Sequence, residues 1–221
     1  MEKVEDRSIC AECGGYCCKK SGCDYFVSDF ESMKMDYLDS ILDTGRVSVI
    51  ASCVFKRLGN GKLINTPILS LRARNINRDA IDLISFKTTC ASLEDDGCHF
   101  SLEDRPSGGA ALIPCREGAC YSEVDRLEEL KKWEPYQAVL GKLVKRRTGM
   151  SVDKKIREDV ENLFYNTMNK NVDGVAAAEL YDVLQNMMPL LLEAYPEEYK
   201  NAKFRISTSS IVLMKKTNFN K

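Results

Sequence analysis

Five cysteines fall within one stretch of fourteen residues, Cys10-Ala11-Glu12-Cys13-Gly14-Gly15-Tyr16-Cys17-Cys18-Lys19-Lys20-Ser21-Gly22-Cys23. No other part of the chain restricts its folding options as strongly. Thiolates repel one another and are costly to bury bare, so sulfur this dense needs a cation to hold it together or disulfides to consume it. The Cys10-x2-Cys13 spacing lets two sulfurs reach one metal from a tight turn, and Gly14 and Gly15 supply the backbone freedom for that turn. The stretch reads as one half of a metal or iron–sulfur site.

Which of the two roles applies depends on the compartment. Residues Met1 to Arg7 are charged and lack an apolar core, which argues against a secretory signal, and no apolar run in the chain is long enough to span a bilayer. A net charge of −1 gives no reason to expect nonspecific attraction to nucleic acid or to an anionic membrane. The expectation is a protein of the reducing cytoplasm, where cysteines serve metal or redox chemistry rather than a disulfide scaffold. All ten cysteines lie between Cys10 and Cys120. That asymmetry divides the 221 residues into a cysteine-rich part, 1–121, and a cysteine-free part, 122–221.

Periodicity fills in the elements. Ser28-Asp29-Phe30-Glu31 has the form of a capping box, followed at helical spacing by Met33, Tyr37, Leu38, Ile41 and Leu42, with Gly45 as the stop. Val47 to Phe55 and Leu63 to Leu71 read as two strands of a hairpin around Gly59-Asn60-Gly61. Cys53, within the first strand, reads as a small core residue rather than a ligand. Arg72-Ala73-Arg74 reads as a solvated strand end, with anion binding as the alternative, and Asp82 to Phe86 as a further short strand. Beyond Cys120, the acidic segment 122–125 opens a helix carrying Val124, Leu127, Leu130 and Trp133, which Pro135 should break or restart. Tyr136, Val139, Leu140, Leu143 and Val144 continue an apolar face to Lys145-Arg146-Arg147, whose charges suit a helix C-terminus. Ser151 caps a further helix with Ile156, Val160, Leu163, Phe164 and Met168 on one face. Val175 to Tyr195 predicts another, and Phe204 to Met214 an extended segment.

A second cysteine cluster, Cys90-Ala91-Ser92-Leu93-Glu94-Asp95-Asp96-Gly97-Cys98-His99-Phe100, lies far along the chain from the first. The acidic turn ending in Gly97 lets a loop return both sulfurs to one point. Arg105-Pro106-Ser107-Gly108-Gly109 follows as a rigid-then-flexible loop, and then Pro114-Cys115-Arg116-Glu117-Gly118-Ala119-Cys120. His99 is the only histidine. With thiolates in surplus, it is not needed as a ligand. Several templates fail. The radical S-adenosylmethionine spacing breaks at Lys20, no βαβ pattern surrounds Cys10 and Cys13, and neither Gly-x-Gly-x-x-Gly after a strand nor Gly-x4-Gly-Lys-Ser/Thr occurs. What remains is a many-thiolate centre fed from two regions, suited to a closed tetrahedral Zn2+ site or a 4Fe–4S cluster. Cys17 and Cys18 are adjacent, so their side chains diverge. Either they serve two neighbouring centres, or one ligates and the other packs.

The pattern Cys10-x2-Cys13-x3-Cys17-Cys18, then Cys90-x7-Cys98-x-Phe100, then Arg105-Pro106 resembles the CxxCxxCC (YkgJ-type) cysteine-cluster family of zinc- or iron-chelating domains, over roughly residues 10–120. Relatives of that family include the flagellin lysine N-methylases. Here the gap before the vicinal pair is three rather than two, and Cys115-Arg116 lies further from Arg105-Pro106 than the family places its Cys-Arg, so Cys115 and Cys120 compete for one ligand position. Taken with the resemblance, the sequence predicts an α+β fold: a small cysteine-rich metal-bound domain with a β-hairpin, and a helical C-terminal region packed on it. The expected ligands are Cys10, Cys13, Cys17, Cys18, Cys23, Cys90, Cys98 and Cys120, with Arg105 donating hydrogen bonds to sulfur or loop carbonyls around an iron–sulfur cluster or Zn2+. The expected partner is a protein or peptide, for modification or maturation such as lysine N-methylation, with neither nucleic acid nor membrane involved. The alternative is a zinc-stapled protein–protein interaction module without catalysis. The sequence names no catalytic residue.

Overall fold

Alternating β-branched and apolar residues in Val47–Arg57 and Leu63–Ala73 form the strands β1 and β2 of an antiparallel hairpin, with Gly59 in the turn between them. The computed structural model describes residues 12, 15, 18–19, 23–57, 59, 63–84, 89–95, 97–101, 103–113, 121–122, 124–168, 172–173, 203–206 and 210–214. For 53–57, 63–66, 113, 121, 160–161 and everything from 163 on, it describes the backbone alone. The side chain of Cys53, and the helix expected over Val175 to Tyr195, lie outside the described residues. Packing divides the chain into two units. The first comprises Met1–Ser52 with Ile68–Val152, the second Cys53–Pro67 with Asp153–Lys221.

In the first unit the hairpin is buried along its whole base. Val47, Val49, Ile50, Ile68, Leu69 and Leu71 are core residues, and Ser48, Ser70 and Arg72 between them are buried as well. Such continuous burial requires cover at the strand edges, where unpaired backbone groups would otherwise be stranded. Residues 80–83 run beside β1: Val49 N donates to Ala80 O at 2.8 Å, Asp82 N to Val49 O at 3.0 Å and Ala51 N to Leu83 O at 2.8 Å. Residues 23–25 run beside β2: Tyr25 N donates to Leu71 O and Ala73 N to Cys23 O, both at 2.9 Å. The expected strand Asp82 to Phe86 is therefore corrected over its described part. Ile81 makes a single parallel bridge to Val49, and Leu83 and Ile84, although Leu83 O accepts from Ala51 N, form a turn rather than a strand.

Helix α1 (Met35–Asp43) buries Leu38 and Leu42 and stops where expected, with Gly45 at φ 74°, a left-handed conformation that favours glycine. Its start is Lys34 rather than the expected Ser28 box. Ser28 instead lies in a 3-10 turn, Val27–Asp29, whose first N–H is taken by the Asp29 carboxylate, 2.7 Å from Phe26 N. Asp29 also accepts from Ser107 N at 3.0 Å and from the Ser107 hydroxyl. The carboxylate thereby starts α2 (Ser107–Ala110), a short helix where a flexible loop was expected.

Two small hairpins follow the second cysteine cluster. One pairs β3 (Leu93–Glu94) with β4 (Gly97–Cys98), the other β5 (Leu112–Ile113) with β6 (Tyr121–Ser122). Helix α3 (Arg126–Lys131) is capped by Asp125, whose Oδ1 accepts from Leu127 N at 2.8 Å. Pro135 breaks the run as its ring requires, leaving a 3-10 turn, Glu134–Tyr136, before α4 (Gln137–Thr148). Leu140, Leu143 and Val144 of α4 are fully buried. The Gln137 side chain takes both backbone groups of Leu69, accepting from its N at 2.8 Å and donating to its O at 2.9 Å.

In the second unit, α5 (Val152–Met168) buries Ile156. The extended C-terminal segment is two strands, not one: β8 (Lys203–Ile206) and β9 (Ser210–Met214) pair antiparallel, and β9 also pairs with β7 (Val172–Asp173). Among the described residues, no helix is long and apolar enough to cross a membrane.

Candidate metal centre

The two cysteine clusters meet at the base of the hairpin. Gly15 is buried at φ 69° and accepts from Lys19 N at 2.9 Å, closing a tight turn in the first cluster. A Cβ there would stand 2.5 Å from Leu93 Cδ1, so this turn and the second cluster approach as closely as only glycine permits. Cys90 N donates to Cys18 O at 2.7 Å, a direct backbone link between the clusters. Cys23 is fixed by its strip alongside β2, and Cys98 by its register opposite Leu93 in the β3–β4 hairpin. Gly97, at φ 131°, lets that hairpin turn.

Cys18, Cys23, Cys90 and Cys98 are all thiols, not half-cystines. Cys90 is 3% exposed and the other three are half-buried. Burial pushes the Cys23 thiol well above its usual range, and the charges of Cys90, Cys98 and Cys18 push it further, with Asp24 adding to the repulsion. Burial likewise raises Cys90; Ser92 N, 3.5 Å from its sulfur, works against the rise, and Cys98 adds to it. Cys23 and Cys90 resist ionisation first because they are buried and further because their neighbours are sulfur. A bound cation reverses that sign, stabilising the same thiolates collectively. The donor set therefore suits a thiophilic ion or cluster in chemical kind. Among the described residues, no three Cys, His, Asp or Glu side chains are gathered closely enough to hold a metal as they stand, so ligation requires the sulfurs to close in.

The surroundings are built for close packing. A Cβ on Gly109 of α2 would lie 3.1 Å from Cys23 Sγ, and one on Gly108 2.4 Å from Asp24 O. The Arg105-Pro106-Ser107-Gly108-Gly109 segment thus lies directly against Cys23 and Asp24. Arg105 Nε donates to the Phe100 carbonyl at 3.3 Å, in the loop that follows Cys98. His99 turns outward: it is half exposed, and its Nδ1 lies 2.7 Å from Glu94 Oε1. Cys10, Cys13, Cys17, Cys115 and Cys120 lie outside the described residues.

The expected solvated end at Arg72-Ala73-Arg74 is corrected. Arg72 is buried and its Nε lies 2.8 Å from Asp24 Oδ1; Arg126 Nε lies 2.8 Å from Asp24 Oδ2. Although burial alone would raise the Asp24 carboxyl, the two guanidinium groups hold it below its usual 3.8. Arg74 donates through Nη2 to Leu42 O and Val47 O, both at 2.7 Å, closing the C-terminal end of α1. The paired arginines at i and i+2 were visible in the sequence. Asp24 and Leu42 as their partners were not, because both contacts span distant segments. Compared with protein-family models, curated proteins and solved structures, the chain matches none.

Proposed function

We propose that the chain is a cysteine-ligated metal protein in which Cys18, Cys23, Cys90 and Cys98 supply thiolates to one centre. The observation that carries this reading is the backbone bond from Cys90 N to Cys18 O at 2.7 Å, which joins the two distant cysteine clusters and is accompanied by the charges of Cys90, Cys98 and Cys18 bearing on Cys23. Bare thiols gain nothing from neighbouring sulfur, whereas four thiolates that close in on a cation complete a tetrahedral Zn2+ shell or hold a 4Fe–4S cluster. When bound, such a centre supplies either a structural staple or electron transfer. The chain's own residues link the two clusters through Cys90 N and Cys18 O, hold the Ser92 N–H toward the Cys90 sulfur and pack Gly109 of α2 on the Cys23 sulfur. The Cys…Cys-Cys pattern and its resemblance to YkgJ-type domains support a role in modifying or maturing a protein or peptide in the cytoplasm, with Cys10, Cys13, Cys17 and Cys120 available to a neighbouring centre. Gly109 packed on Cys23 Sγ favours the second reading, a closed zinc-stapled interaction module, because a covered sulfur leaves less room for an open coordination position.

Anaerobic purification, followed by measurement of iron, zinc and acid-labile sulfide beside the visible spectrum, tests the proposal. We expect stoichiometric metal in the wild type and its loss in Cys23→Ser and Cys90→Ser. Iron with matching sulfide and a broad brown absorption supports a cluster, and colourless zinc supports the staple. Wild-type protein without metal, or serine variants that retain all of it, would overturn the assignment.

A further inference from the structure

Asn75 is 97% buried by its 3% exposure, and its side-chain Oδ1 has no hydrogen-bond partner. Buried polar groups are nearly always paired, so an orphan of this kind needs a reason. Its place in the fold supplies one. Asn75 bridges Cys90 in antiparallel fashion. The flanking bonds run from Ile76 N to Thr89 O at 2.7 Å and from Ala91 N to Arg74 O at 2.8 Å. Asn75 and Cys90 therefore form the non-hydrogen-bonded type of opposed pair, whose side chains stand on one face and approach most closely. The same bonding pattern recurs at Asp24 and Arg72, flanked by Tyr25 N to Leu71 O and Ala73 N to Cys23 O, and there the two side chains meet at 2.8 Å.

Resting on the reading of Cys90 as a thiolate ligand, we infer that Asn75 is a positioning residue whose amide donates an N–H···S hydrogen bond to the Cys90 sulfur in the metal-bound state. An amide presents an acceptor at one end and two donors at the other, and a half-turn about its last torsion exchanges them. A protonated sulfur is only a weak donor to an amide oxygen, and the Asn75 oxygen is unpaired here. A metal-bound thiolate is an acceptor and satisfies the nitrogen end. Cys90 already receives one such bond from Ser92 N at 3.5 Å, and Asn75 adds a second from the opposite strand. Hydrogen bonds to ligating sulfur orient it and tune its donor strength.

The test uses the full chain with cobalt(II) as the probe, because thiolate-to-cobalt charge-transfer absorption reports both binding and sulfur electronics. Asn75→Leu keeps the size of the side chain and removes the amide. We expect it to bind cobalt at wild-type stoichiometry but about 10- to 100-fold more weakly in chelator competition, with a shifted charge-transfer band, while the thermal midpoint of the metal-free protein stays the same or rises. Asn75→Asp, which puts an acceptor against the thiolate, should weaken binding further; it decides the matter with the same readouts if the leucine variant does not fold. Wild-type affinity and band position in Asn75→Leu would overturn the inference. So would a loss of stability in the metal-free protein equal to that in the loaded one, which marks a merely structural residue. A wild type that takes up no cobalt removes the metal centre itself and this inference with it, whereas wild-type binding with an indifferent Asn75→Leu removes Asn75 alone.

Discussion

Asp24 follows Cys23 directly, so one residue contributes a sulfur and the next a carboxylate held by Arg72 and Arg126. Its folded-state carboxyl lies below the usual 3.8, so its ion pairing contributes stability that is fully present above that value and is lost as pH falls through the lowered one. Arg126 is largely in solvent and its share is small. Arg72 is buried, and removing its charged partner should cost about 2–3 kcal/mol. Asp24→Asn is therefore expected to lose that much in urea denaturation at neutral pH, with the gap to wild type closing as the pH falls below the usual 3.8 and through the lowered folded-state value. A gap of equal size at both pH values would mean that packing, not charge, holds this strip. Residue types were legible at this scale, and pairings were not. The cysteines, the glycines between them and the arginines all announce chemistry. Which sulfur faces which, and that Asn75 opposes Cys90, depends on register between segments far apart in sequence.

Helix α2 has four residues and no sequence signal of its own, since glycine is a poor helix former. It forms because Asp29 takes its first N–H and hydroxyl, and because Gly108 and Gly109 let its backbone lie against Asp24 and Cys23. Gly109→Ala places a methyl 3.0 Å from Cys23 Cβ and should cost about 1–3 kcal/mol while displacing the thiol. Thermal melting and metal content measured together check this, and a variant unchanged in both would mean the segment yields freely. The longer elements behaved differently. The hairpin β1–β2, helix α1 with its Gly45 stop, and the break at Pro135 were readable because period, glycine and proline act locally. Lys145-Arg146-Arg147 was read as a helix terminus complementing its own dipole. In the fold Arg146 and Arg147 also reach across to Asp36, Asp39 and Asp43 of α1. These contacts are exposed and screened by salt, so they select the pairing of the two helices more than they stabilise it.

For the molecule as a whole, a metal that binds only the folded first unit stabilises it by mass action. Chelation in reducing buffer should lower its calorimetric midpoint by about 10 °C, the shift expected when a ligand worth several kcal/mol is withdrawn from a unit of this size. An unchanged midpoint would separate the cysteines from stability. The sequence by itself determined the α+β composition, the hairpin, the helices around Pro135 and the concentration of thiols in two clusters, because propensity, periodicity and turn chemistry are properties of neighbouring residues. Only the tertiary structure decided that Cys18 and Cys90 share a backbone hydrogen bond, that Leu93 fills the space above Gly15 and that Arg72 is buried against Asp24. Those contacts follow from closing the chain around the hairpin edges, where unpaired strand backbone must find partners and brings its side chains along.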